Sequence, residues 1–422
     1  MRYLLKSKQA GHASILFILI FPALFGFFVW GVEGARIMQD RARLSDAVEV
    51  ASLAVAAENS DVTVTQSATA KKFIEAYFPN NVNVVPPTVI KLSCEQNPKC
   101  DEDDPDQARF FEYQVSVSIS QDAWFPNNEQ LSYGDSNGKI EMASNSVSRK
   151  YQSQAVDVVL VSDYSSSMLQ SWNGVRKYQG VNNIIGEIGL ELKKFNEQNK
   201  NQTNRMAVIP FSYYTSKYIG NNRRYTTHLK CKNTCPKIPR SSDVKAKETV
   251  SNIFTDSSIH DYYYKGNQVN DSSFFWNIGF MTDFDALKSE VDRFNITGNY
   301  SLTASYTGLI EAARTLYSDH QNSRALIIIL SDGIDWDSNI TDKLLDENYC
   351  QVILNTLNGL TDSEGKNIKT KMAAIGFDYN VNANPQMKTC VGDDNVYEAK
   401  NTAEIKNKIL ELISEEIGHL AE

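Results

Sequence analysis

Val156-Asp157-Val158-Val159-Leu160-Val161-Ser162-Asp163-Tyr164-Ser165-Ser166-Ser167 is the stretch on which the reading of this chain turns. The apolar run 156–161 is that of a buried strand, and a carboxylate and two hydroxyls follow it at the spacing D-x-S-x-S. A strand that ends in a tight turn can aim Asp163, Ser165 and Ser167 at one point. All three offer hard oxygen ligands, which suit Mg²⁺, Mn²⁺ or Ca²⁺ far better than Zn²⁺. Two of the three are neutral, so a metal held there keeps an open coordination position and favours an anionic ligand from outside. The short motif alone is a weak signal, because Ser and Asp are common in turns.

Two distant segments add to it. Thr303 lies in Ser301-Leu302-Thr303-Ala304-Ser305-Tyr306-Thr307-Gly308-Leu309, just ahead of an amphipathic helix carrying Leu309, Ala312, Ala313 and Leu316. Asp332 ends a second apolar strand, Leu326-Ile327-Ile328-Ile329-Leu330-Ser331-Asp332-Gly333. Unrelated strand-end turns are the plain alternative. Taken in order, the three segments resemble the metal-ion-dependent adhesion site of von Willebrand factor A (vWA) domains. The resemblance implies that Asp163, Ser165 and Ser167 hold Mg²⁺ (or Mn²⁺ or Ca²⁺), with a hydroxyl from Thr303 and with Asp332 acting through water. It also implies a protein ligand that supplies an acidic residue to the metal.

The surrounding pattern predicts strands at 156–161, 206–211, 325–330 and 371–376, and helices at 181–198, 282–294, 306–318, 342–359 and 402–417. Strands alternating with helices argue for an α/β domain with a mostly parallel, Rossmann-like sheet flanked by helices. Such sheets bind ligands at the carboxyl ends of their strands, where Asp163 and Asp332 fall. The vWA-like domain is expected over 151–422. Its polar, Tyr-rich segment 212–280 reads as a surface insertion, its tyrosines serving either an interface or a local core. Residues 61–150 read as a small α+β region, with a helix over 68–77 and an alternating strand over 111–119. Glu102-Asp103-Asp104-Pro105-Asp106 is an acidic loop that fits a solvated turn better than a Ca²⁺ site.

Residues 13–32 carry no charge and span ~30 Å as a helix, enough for a bilayer core. Pro22 and Gly26 are tolerated in such a helix, and Phe27, Phe28 and Trp30 gather near its far end as an interfacial belt would. A cleaved signal peptide is the alternative, but no clear small-x-small site follows. The expected order is therefore a cytoplasmic 1–11, a transmembrane helix over 12–32 and a membrane-proximal helix over 33–60. Leu44, Ala47, Val48, Ala51, Ala54 and Val55 keep helical spacing in that last part. Their stripe could lie on its own domain or bundle with other helices. Basic residues flank the span on both sides, so the cysteines decide the orientation. All six (Cys94, Cys100, Cys231, Cys235, Cys350, Cys390) follow the span. They read as disulfides in an oxidising compartment, the pairing 94–100, 231–235 and 350–390 being the simplest. Metal binding by Cys231 and Cys235 lacks a second pair at zinc spacing.

The N-terminal section, Gly11 to about Ala57, is similar to the TadE/TadG family of tight-adherence (Flp) pilus assembly. The similarity rests on the basic start, the Gly before the apolar run, Glu33-Gly34-Ala35-Arg36 and the Ala-rich segment from Asp46 to Ala56. The C-terminal stretch from Cys350 to the last helix resembles TadG-like proteins too. Leu16 stands where pilin-like relatives often carry Glu, which puts processing after Gly11 in doubt. The resemblance implies a single-pass bacterial inner-membrane protein with its C-terminal part periplasmic or surface-exposed. It would contact pilus or secretion components through the N-terminal helix, and membrane lipid. A pilin-like minor subunit or adhesin is the alternative. A partner of a cytoplasmic ATPase is a third, and the cysteines argue against it.

Other classes find less support. The net charge is -9 and no basic block of the kind nucleic acid demands is present. P-loop, H-E-x-x-H and G-x-S-x-G patterns are missing. The histidines (His12, His228, His260, His320, His419) are scattered, so no enzyme is expected. Asp335 and Asp337 could add a second cation site, but more often such residues cap a turn.

Overall fold

The computed structural model describes residues 12–58, 63–78, 82–100, 110–125, 135, 137–151, 154–198, 203–233, 235–255, 264–265, 273–298, 301–362, 365–381, 384–414 and 419–420. The acidic loop 102–106 lies outside them. The chain divides into two units, one of residues 1–97, 111–150 and 416–422, the other of 98–110 and 151–415.

In the first unit, α1 (His12–Ala57) is one continuous helix of 46 residues. Its two ends are built differently. Between Ile15 and Phe28 the large apolar side chains are exposed, whereas Leu44, Ala47, Val48, Ala51, Val55 and Ala56 are fully buried. The second stripe packs on α2 (Thr63–Tyr77), which turns Ala70 and Ile74 inward. The Ala-rich face is thus covered within its own unit. Strands β1 (Val82–Val84) and β2 (Thr88–Leu92) both pair antiparallel with β3 (Phe110–Asp122), which neighbours β4 (Lys139–Tyr151). The terminal strand His419–Leu420 adds to β4. On β3 the alternation of Tyr113, Val115, Val117 and Ile119 is the buried face, as its period of two requires.

The second unit is built on a six-stranded sheet. Its strands are β5 (Asp157–Asp163), β6 (Arg205–Phe211), β7 (Ile278–Met281), β8 (Arg324–Ser331), β9 (Lys369–Phe377) and β10 (Val396–Ala399). The spatial order is β7-β6-β5-β8-β9-β10, with only β7 antiparallel. Both β5 and β6 are buried at every position, which is why they read as unbroken apolar runs rather than as alternation. Its longer helices are α3 (Lys177–Gln198), α4 (Phe284–Val291), α5 (Ser305–Ser318), α6 (Ser338–Asp346), α7 (Tyr349–Asn358) and α8 (Thr402–Ile413), and short helices cover Ala246–Ser251 and Pro385–Val391. A Cβ added to Gly308 of α5 would lie 2.6 Å from Val161 Cγ1 and 2.8 Å from Phe211 Cδ1. Only glycine allows α5 to press so closely on the ends of β5 and β6.

Four expectations need correcting. The helix expected over 342–359 is two, α6 and α7, because the apolar stripe Ile340-Leu344 meets Glu347 and Asn348 at its next turn. Asn348 takes the left-handed conformation there (φ 57°), which Asn tolerates, and Cys350, Ile353 and Leu357 restart the stripe. The helix expected over 282–294 shrinks to α4, started by the Asp283 carboxylate accepting from Ala286 N at 3.0 Å. The helix expected to 417 stops at Ile413, where Ser414 turns extended. The segment 212–280, expected on the surface, sends Tyr213, Tyr214, Tyr225, Leu229, Val244, Val250 and Ile253 into the main core.

Cys231–Cys235 and Cys350–Cys390 are disulfides, and Cys94 and Cys100 are disulfide-bonded as well.

Candidate metal centre

Sheet order places the site. From β5 the chain goes to β6 on one side, and later returns to β8 on the other, so a crevice opens where β5 and β8 end. Asp163 is the last residue of β5 and Asp332 the first after β8. Asp163 is fully buried, and its turn is fixed locally: Ser165 N donates to Asp163 Oδ1 at 2.7 Å. A 3₁₀ turn over Ser166–Leu169 then brings Ser167 back. The hydroxyls of Ser165 and Ser167 are 2.9 Å apart, and Ser167 donates to Asp332 Oδ1 at 2.7 Å. Ser331 closes the ring from the other strand by donating to Asp163 Oδ2 at 2.8 Å. Asp163, Ser165, Ser167 and Asp332 thus form one connected cluster of oxygens.

The Thr303 loop is held by its neighbours. Ser301 N donates to Ser166 Oγ at 2.8 Å, and Ser166 N donates to the Ser301 carbonyl at 3.1 Å. Trp336 N donates to the Thr303 carbonyl at 2.9 Å. The loop therefore bridges the turns after β5 and β8, with Thr303 half-buried between them. Asp335 serves this bridge and caps the start of α5: it accepts from Ser305 N at 2.6 Å, from Ser305 Oγ at 2.9 Å and from Thr341 Oγ1 at 2.7 Å. Burial pushes the Asp335 carboxyl up, and those three bonds only partly offset it. Asp337 accepts instead from Ser241 N at 2.9 Å and Asn339 Nδ2 at 3.1 Å.

Sequence reasoning missed two members. Lys177, first residue of α3, has a buried side chain whose ammonium lies 2.9 Å from Asp332 Oδ2 and 2.6 Å from Asp378 Oδ2. Burial alone would lower its pKa, but the bonds to Asp378 and Asp332 outweigh it and raise it. Asp378 follows β9 in the left-handed region (φ 59°). It could have been found, since it is a carboxylate just past an apolar strand, as Asp332 is. Lys177 had no such signal: it reaches the site only because α3 begins beside it.

The donor set fits a hard cation. It consists of oxygens alone, and the one ammonium, Lys177, is shared by Asp332 and Asp378. Burial, with the charge of Asp332 added, raises the Asp163 pKa well above the usual range despite hydrogen bonds from Ser165 and Ser331. A dication among these groups would remove that strain. Among the described residues, no group of three or more His, Cys, Asp and Glu side chains could hold a metal. Serine hydroxyls would have to complete the ligand set, which suits Mg²⁺, Mn²⁺ or Ca²⁺ far better than zinc.

The fold and site define an α/β domain with a buried polar cluster at the carboxyl ends of its central parallel strands. Residues 11–58 match the family model of putative Flp pilus-assembly TadE/G-like proteins. No curated protein matches the chain. Among solved structures it is similar to proximal thread matrix protein 1 from the mussel byssus, at 14% identity and a TM-score of 0.34, covering 63% of this chain and 48% of that one. It is similar to the pilus adhesin SpaC from Lactobacillus rhamnosus GG at 13% identity and a TM-score of 0.36, covering 80% and 35%. It is also similar to the adhesive tip pilin GBS104 from Group B Streptococcus agalactiae, at 11% identity and a TM-score of 0.35, covering 81% and 71%. The chain spans about half the length of the mussel protein.

Proposed function

We propose that this chain is a single-pass membrane protein of a Tad-type pilus system, whose vWA-type domain grips a protein partner through a divalent cation. The observation that carries the reading is the connected cluster Asp163-Ser165-Ser167-Asp332 at the β5/β8 switch point. Asp163, Ser165 and Ser167 would hold Mg²⁺, Mn²⁺ or Ca²⁺, with Thr303 beside them and Asp332 in support. When bound, the cation supplies a coordination position for an acidic side chain of the partner. The protein's own residues orient and neutralise: Ser165 N and Ser331 fix the two oxygens of Asp163, and Lys177 offsets part of the charge of Asp332. No bond is made or broken, so the role is adhesion or assembly rather than catalysis.

The N-terminal family match and the apolar part of α1 support anchoring in the bacterial inner membrane. Disulfides support an oxidising, periplasmic side for the second unit. The Ala-rich stripe of α1 is already covered in its own unit, so pilin-like bundling has less support than anchoring. Contacts with pilus or secretion components would fall to the part of α1 that remains exposed. A pull-down of partners from the parent cell envelope tests the reading. Capture in Mg²⁺, loss in chelator and loss with Asp163→Asn are expected. Equal capture in all three would defeat the cation bridge.

Lys177 gives a further check. Its ammonium competes with a cation for Asp332, so Lys177→Met is expected to tighten Mg²⁺ by about tenfold, ~1.4 kcal/mol. Calorimetric titration of both proteins measures this. Weaker binding in the variant would mean that Lys177 positions Asp332 rather than competing for it.

A further inference from the structure

The first unit carries a second apolar feature beside α1. Strand β3 ends at Asp122 and is followed by Ala123, Trp124 and Phe125. This end of the β3–β4 hairpin runs along α1 toward the helix N-terminus. Gln121 Nε2 donates to Asp40 Oδ2 at 3.0 Å, and Arg36 donates to Gln121 Oε1 at 3.0 Å and to the Asp122 carbonyl at 3.1 Å. Trp124 N donates to Glu33 Oε2 at 3.1 Å, and the Arg36 guanidinium lies 4.7 Å from the Trp124 ring centroid. Beyond them Phe125 meets Phe25 edge-on, with centroids 6.4 Å apart. The only buried positions between Ser14 and Gly31 are Gly26 and Val29.

Phe25 lies seven residues inside the end of the apolar run at Val32, about 10 Å along the helix. Were the hairpin end held in water, only residues 13–24 would remain to cross. Twelve residues span about 18 Å, too little for a hydrocarbon core of roughly 30 Å. We infer that Trp124 and Phe125, which follow β3, form a second membrane-inserted element, packed against α1 in the outer part of the same bilayer. The partner is membrane lipid at the headgroup–acyl boundary.

The side chains suit that depth. Trp124 is 59% exposed. Its ring carries a polar N–H and an apolar body, which favours the interface. The Arg36 guanidinium lies over one face of that ring, and basic residues are favoured at this level. Glu33 is only 1% exposed, and Trp124 N and Arg36 both bond it, so this carboxylate near the bilayer is not left unpaired.

The inference rests on α1 crossing a bilayer, and the test separates the two. The full chain is reconstituted into phosphatidylcholine vesicles brominated near the top of the acyl chains, and tryptophan quenching is compared with Trp30→Phe and Trp124→Phe. Trp30 reports α1 and Trp124 reports the hairpin. The expected result is that each variant loses part of the quenched emission. Loss with Trp30→Phe alone would overturn hairpin insertion and leave the span intact. Loss with neither would remove the span, and the inference with it.

Discussion

Asp157→Ala is expected to destabilise the second unit by about 3–5 kcal/mol, the range for breaking a buried ion pair by removing one partner. Asp157 is fully buried at the start of β5, opposite Arg205 on β6. Arg205 donates to both its oxygens, at 2.9 Å and 2.8 Å. Gln321 N, Asn322 N and Asn322 Nδ2 donate to it as well, at 2.8, 3.1 and 2.7 Å. Alanine would leave those donors facing a void, with Arg205 keeping only Asp319 and the stacking on Phe280. At ~2–4 °C per kcal/mol for a domain of this size, the melting temperature should fall by about 10 °C. A fall under about 2 °C would mean that water replaces the carboxylate at little cost. The pair lies at the end of β5 away from Asp163, so the surviving folded protein should bind cation as before.

Asp163→Asn is expected to reverse sign with conditions. The amide keeps an oxygen for Ser165 N and can donate to Ser331. It removes a buried charge beside Asp332, so in chelator the variant should be more stable than the parent, by on the order of 1 kcal/mol. In Mg²⁺ the order should invert. A ligand at 100 times its Kd stabilises the folded protein by about 2.7 kcal/mol, and only the parent would gain it. Thermal melts of both proteins in chelator and in Mg²⁺ measure the crossing. Parallel curves with no Mg²⁺ response would remove the cation from the account. Such an exchange of stability for binding is what a site built of like charges predicts.

The two carboxylates of that site were legible in the sequence for a physical reason. A fully buried parallel strand is an unbroken apolar run, so the first polar residues after it mark the crevice. That rule locates Asp163 and Asp332, and it would have located Asp378. It cannot locate Lys177, whose place depends on where α3 starts relative to β8 and β9. The core strands 156–161 and 325–330 were legible for the same reason, whereas the edge strands β7 and β10, four residues each, were too short to show a pattern. The tyrosines of 212–280 were ambiguous because a phenol suits an interface or a core. Tyr213 and Tyr214 settle into the core by donating to the carbonyls of Pro239 and Lys237. For α1, the apolar run and the Ala-rich stripe were both plain, but the hairpin that meets Phe25 comes from about a hundred residues away.

The central claim is that Asp163, Ser165 and Ser167, with Thr303 beside them and Asp332 in support, hold a divalent cation. Calorimetric titration of Mg²⁺ and Mn²⁺ into the detergent-solubilised full chain tests it most directly, with Asp163→Asn as the control. The account predicts saturable binding to one site in the parent and none in the variant. Heats that do not saturate, or that are the same in both proteins, would contradict it.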